Sequence, residues 1–151
     1  MIVVKISRSL PVEFDPVLVE RAAREALRIA PGEQEVGLTI LLTGDRTIRR
    51  INRQYRGDDH ATDVLAFPAD YSDPDTGEHY LGDILISYPR AQAQAASGGH
   101  PAEEEVQLLV VHGVLHLIGF DHDAPEAAAR MGALQADILE RLGCRLSPPV
   151  L

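Results

Sequence analysis

The 151 residues carry a formal net charge of −9, with 45% hydrophobic and 25% charged residues. That balance and length suit one soluble globular domain over residues 1–151, and exclude a disordered or fibrous chain. The acidic total argues against a surface that coats nucleic acid throughout, but leaves room for a local basic site.

Residues 2–6 (IVVKI) predict a short strand, and the run is too brief for the apolar core of a secretory signal. Asp15 then offers an N-cap and Pro16 a first helical position, with Val17, Leu18, Ala22, Leu27 and Ile29 at helical spacing up to Pro31-Gly32. Residues 36–42 (VGLTILL) read as a second strand, and an arginine-rich helix follows over 45–55, with Ile48, Ile51 and Tyr55 facing the core. Residues 63–67 and 81–87 are two more strands, separated by ADYSDPDTGEHY, whose turn residues predict an exposed loop. A helix over about 88–97 ends at Ser97-Gly98-Gly99, and Pro101 with Glu103 to Glu105 opens the next. The last helix spans 125–142 and is closed by Gly143. The lone cysteine, Cys144, excludes an intrachain disulfide and turns any metal site to other ligands. No apolar run approaches the ~18 residues of a membrane helix. Strands mixed with helices make an α/β or α+β domain.

The chemistry is concentrated in VQLLVVHGVLHLIGFDH, residues 106–122. Apolar residues on every side predict a helix buried in the middle of the domain. His112 and His116 lie on one face, about 6 Å apart along the axis at about 1.5 Å per residue. Gly119 lets the chain leave the helix, so His122 can turn back with a third nitrogen. Three imidazoles and an open fourth position are the arrangement of a catalytic zinc, which activates water. Single buried histidines are usually hydrogen-bonded core residues; three at these offsets on an apolar helix are not explained that way. The spacing is that of the metzincin pattern H-E-x-x-H-x-x-G-x-x-H, except that Gly113 stands where those proteases carry the general-base glutamate. Gly113 either allows a neighbouring element or the substrate to approach, or serves packing alone.

A second feature is RTIRRINRQYR, residues 46–56, with five arginines and no acid. Arg46, Arg49, Arg53 and Arg56 follow helical spacing and form a stripe suited to phosphate oxygens, the bland alternative being a solvated helix face.

Three stretches, NRQYRGDDHATDVLAFP (52–68), LGDILIS (81–87) and HGVLHLIGFDH (112–122), together resemble the YbeY family of bacterial endoribonucleases. The resemblance implies a zincin-like α+β fold, with a small mixed sheet of about four strands around the helix that bears the histidines. It implies one Zn²⁺ per chain, held by His112, His116 and His122. Single-stranded RNA would be the substrate, with a cytoplasmic role in maturing the 3′ end of small-subunit (16S) ribosomal RNA and in ribosome quality control. Arg56 matches the family arginine associated with cleavage, and Arg49 and Arg53 are the accompanying substrate-binding candidates. His60-Ala61 departs from the family pattern, in which a proline usually precedes the threonine. Small-subunit ribosomal proteins or assembly factors are the protein partners to expect, and a monomer is favoured.

Two other readings compete with a nuclease. A ribosome-assembly or RNA-binding factor would use zinc structurally, which the open coordination position opposes. A metallopeptidase is opposed by Gly113. Asp121 is either a general base or an orienter of its neighbour His122.

Overall fold

The computed structural model describes residues 1–30 and 35–146. Its strands are β1 (Ile2–Ile6), β2 (Val36–Thr43), β3 (Val64–Ser72) and β4 (His79–Ser87). Leu38, Ile40 and Leu42 of β2 are fully buried and both its edges are paired, which makes it a central strand. β1 and β4 run parallel to it on either side, and β3 adds antiparallel to β4, in the order β1-β2-β4-β3. The expected mixed, four-stranded sheet of an α+β fold is present.

The helices are α1 (Val17–Leu27), α2 (Asp45–Arg56), α3 (Tyr88–Gly98), α4 (Ala102–Leu117) and α5 (Pro125–Arg141). Leu38, Ile40, Ile84 and Ile86 on one sheet face share a continuous core with Val19 of α1, Val110 and Val114 of α4, and Met131 and Ile138 of α5. α4 is buried from Glu105 to Val111, as its all-round apolar sequence requires. α2 covers the opposite face, where Ile48 packs with Leu65 and Leu85.

Local details differ from the sequence reading. α1 begins at Val17, but the Asp15 carboxylate still accepts the Val17 N–H at 3.0 Å, as a cap should. Pro31-Gly32, its expected end, lies outside the described residues. Half of the expected loop is strand: β3 runs on to Ser72 and β4 starts at His79, with Tyr71 opposite Tyr80. The turn shrinks to residues 73–78, where Asp73 Oδ1 accepts the N–H groups of Asp75 and Thr76 at 2.8 and 3.3 Å. The turn residues are legible in the sequence, whereas the cross-strand aromatic pair that extends the hairpin depends on the register of the two strands.

Tyr55 is the other correction. It continues the inward stripe of Ile48 and Ile51, yet 67% of it is exposed. Strand β3 is the edge of the sheet, so the end of α2 lies at its rim and Tyr55 meets only the edge of Phe67.

Candidate metal centre and its cleft

The end of α4 brings the three histidines together. Gly119 adopts φ +108°, its N–H bonds the His116 carbonyl at 3.1 Å, and the Phe120 N–H bonds the Leu115 carbonyl at 2.9 Å. These are the two bonds of a Schellman ending, and a Cβ at Gly119 would strain it. The reversal swings His122 over the helix face that carries His112 and His116. One ligand nitrogen from each ring lies within 4.8 Å of the others.

The rings are oriented for a cation. His112 Nδ1 contacts Gln135 Oε1 at 2.6 Å, so the amide oxygen fixes the proton there and leaves Nε2 with its lone pair. That Nε2 faces His116 Nε2 at 3.0 Å, while His116 is also hydrogen-bonded to the Phe120 backbone. Burial pushes the pKa of His112 and of His116 below the ordinary 6.5, with neighbouring histidines adding to the effect. Both imidazoles are thus neutral at neutral pH, the form a metal requires. Asp63 acts on His112 and Asp121 on His116 in the opposite sense, favouring positive charge in the site. The donor set therefore fits a divalent metal: neutral nitrogens converge where carboxylates favour a cation.

Beside the histidines is a cleft of about 520 Å³, lined also by Arg56, Asp63, Pro68, Asp121 and Asp123. Arg56 is the last residue of α2, with Gly57 capping the helix at φ +75°. Its Nη2 donates to the Ala66 carbonyl at 2.7 Å, and its guanidinium carbon lies 5.2 Å from the centre of the Phe67 ring. One hydrogen bond and one ring contact thus hold the guanidinium at the cleft wall and leave other N–H groups free.

The remaining stripe arginines lie elsewhere. Arg46, Arg49, Arg50 and Arg53 line a second, larger cleft of about 730 Å³, together with His60 and with Arg90 from α3. Arg49 is tied to Asp59 by two hydrogen bonds of 2.9 and 3.2 Å, and Arg90 to Asp45 at 3.1 Å. The guanidinium holds the Asp59 carboxyl below its usual range. Among the described residues the three imidazoles line the smaller cleft and not the larger one. α2 thus carries one arginine to the histidines and a group of arginines beyond them.

Gly113 is explained by packing. A Cβ there would lie 2.9 Å from Ile84 Cγ2 and 3.1 Å from Cδ1, and Ile84 is fully buried on β4. Gln135, Asp63 and Arg90 are the residues that sequence reasoning missed. Gln135 had left a signal, since it interrupts the apolar stripe of Met131, Ile138, Leu139 and Leu142 at helical spacing and is fully buried.

The profile of the family described as Endoribonuclease YbeY matches residues 8–143. The chain is 46% identical over 134 residues to an Endoribonuclease YbeY of Roseiflexus castenholzii, covering 85% of this chain and 84% of that one. It is 43% identical over 136 residues to the Persephonella marina protein of the same name, covering 89% and 86%. Among solved structures it is similar to TM1509 of Thermotoga maritima, determined in solution, with a TM-score of 0.62, 25% identity, and 94% and 89% of the two chains covered.

Proposed function

The chain belongs to the YbeY family of endoribonucleases, and from that premise we propose that it cleaves single-stranded RNA in the histidine cleft, with zinc held by His112, His116 and His122. The observation that carries this reading is the pairing, in one cleft, of a cation site with the anchored guanidinium of Arg56. When bound, the metal supplies Lewis acidity, activating water and polarising a phosphoryl oxygen. Three nitrogen donors without thiolate suit zinc.

The chain's own residues have distinct tasks. Gln135 holds the His112 ring so that Nε2 points into the site. Arg56, fixed by Ala66 and Phe67, presents N–H donors where charge develops on a scissile phosphate. Arg53 and Arg49 would bind phosphates further along the strand, Arg49 after loosening from Asp59. The substrate that family membership favours is the 3′ end of small-subunit ribosomal RNA, within ribosome maturation and quality control in the cytoplasm. Among the described residues no helix is long and apolar enough to cross a membrane.

The edge strand disfavours a peptidase. The Ser87 N–H donates to the Asp63 carbonyl at 2.8 Å, so alternate residues Val64, Ala66 and Pro68 turn their backbone groups away from β4. Pro68 has no N–H and Arg56 occupies the Ala66 carbonyl, so a peptide cannot add there as a further strand.

The test is cleavage of labelled single-stranded RNA by the metal-loaded protein, with and without chelator, beside Arg56→Ala. We expect chelator to abolish cleavage. Arg56→Ala should lower the rate by about a hundredfold or more and cost less than about 1 kcal/mol of stability, its side chain being exposed. Cleavage that survives chelation, or an Arg56→Ala melting loss matching its activity loss, would overturn the assignment.

A further inference from the structure

A single exposed hydrophobic side chain is ordinary, but an aromatic one beside a cleft can offer an unpaired base a stacking platform. Among the described residues the large hydrophobic side chains left exposed are Met1, Val17, Tyr55 and Tyr71. Tyr55 is adjacent in sequence to Arg56, and its ring meets Phe67 edge-on, centroids 5.9 Å apart at 64°. Phe67 in turn lies under the Arg56 guanidinium at 5.2 Å. One guanidinium therefore separates the two rings from the cleft that holds the histidines.

The rings sit on the α2 face of edge strand β3, whereas Ala66 and Pro68 face the histidine cleft. A nucleic-acid strand crossing this edge would set a phosphate against Arg56 and the adjoining base over an exposed aromatic ring. Nearby charge fits such a strand, since Arg50 and Arg53 line the cleft on the other side of α2 and make no salt bridge among the described residues. A paired and stacked duplex cannot offer a free base face, but a single strand can.

We propose that Tyr55 and Phe67 form a stacking site for one base of the RNA, that of the nucleotide next to the scissile phosphate. The proposal rests on the reading of the histidine cleft as the place of RNA cleavage. Tyr55 is the exposed ring the base meets, and Phe67, itself against the Arg56 guanidinium, supports it edge-on. Stacking of this kind accepts any base and requires it to be unpaired, so it selects single strands without selecting sequence.

The experiment uses a short mixed-sequence RNA in which each nucleotide in turn is made abasic. Binding is read by anisotropy before turnover, and cleavage on gels. In the wild type, removing the base at one position beside the cut should weaken binding by about five- to a hundredfold. Tyr55→Ala should lose a similar factor on intact RNA, and lose no more when that base is removed. Tyr55→Trp should regain the sensitivity. Because the chain has no tryptophan, the new ring is its sole indole emitter, quenched by intact RNA and not by RNA abasic at that position. Melting temperatures should stay close to wild type, since Tyr55 is mostly solvent-exposed. If Tyr55→Ala keeps wild-type sensitivity at every position, or no position is sensitive in the wild type, the stacking site is wrong. Wild-type protein that binds RNA with this pattern but does not cut it would instead overturn the catalytic reading and leave the stacking site standing.

Discussion

The contact between Gln135 and His112 does two opposing things. Its Oε1 fixes the ring at 2.6 Å, while its Nε2 is buried without a hydrogen-bond partner among the described residues. An unpartnered buried amide nitrogen costs about 1–3 kcal/mol, so Gln135 is a residue whose benefit to the site outweighs a stability cost. Gln135→Leu should therefore weaken metal affinity by about 10–100-fold. Metal-free stability should hardly change, because the orphaned Nε2 is removed as the His112 Nδ1 loses its partner. Competition with a chelating dye, alongside urea melts of the metal-free protein, reads the two effects separately. A parallel fall in both would make Gln135 an ordinary packing residue.

At the scale of the element, α4 must satisfy the sheet beneath it and the site at its end. Ala at residue 113 would gain about 1 kcal/mol of helix propensity, but would meet Ile84 inside van der Waals distance. Overpacking of that kind costs about 1–3 kcal/mol. Gly113→Ala should thus destabilise the protein by up to about 2 kcal/mol net. Combined with Ile84→Ala, which removes the opposing atoms, it should cost less than the sum, with a coupling of about 0.5 kcal/mol or more in a double-mutant cycle. Additive losses would show that Gly113 serves the cleft instead of the packing. A side chain at the position that holds a general base in metzincins would here meet Ile84 of β4, so introducing glutamate at 113 should not produce a peptidase. The hairpin of β3 and β4 teaches a related lesson. The turn residues of ADYSDPDTGEHY do form a turn at 73–78, but the strands reach further into that segment, where Tyr71 and Tyr80 pair across them with ring centroids 5.4 Å apart.

Over the whole molecule the net charge of −9 hides a separation of charge. Four α2 arginines and Arg90 share one cleft with only Asp45 and Asp59 as acids. RNA binding should weaken with salt despite the acidic total, with a slope of log affinity against log salt of roughly −1.5 to −3 for two to four phosphate contacts. Replacing Arg50 and Arg53 together should flatten that slope by about one unit. Replacing Arg49 should do less, because Asp59 already pairs with it at 2.9 Å. Anisotropy of a short labelled RNA across a salt series measures both. An unchanged slope in the double variant would mean that the arginine cleft does not contact RNA.

The chain order alone determined that His112, His116 and His122 converge, because with Gly119 they lie within one helix and its termination, where 3.6-residue periodicity and a single positive-φ glycine fix the geometry. It likewise determined the buried character of α4, a direct consequence of its apolar periodicity, but left α/β and α+β open until the antiparallel pairing of β3 with β4 decided between them. The tertiary structure decided everything that depends on which elements become neighbours. Gln135 lies 23 residues from His112 and reaches it only because α5 packs on α4. Arg56 leaves the stripe of Arg46, Arg49 and Arg53 because α2 ends over edge strand β3, where the Ala66 carbonyl is free to receive it. Helical spacing aligns side chains on one face, but it does not say where the surface under that face stops.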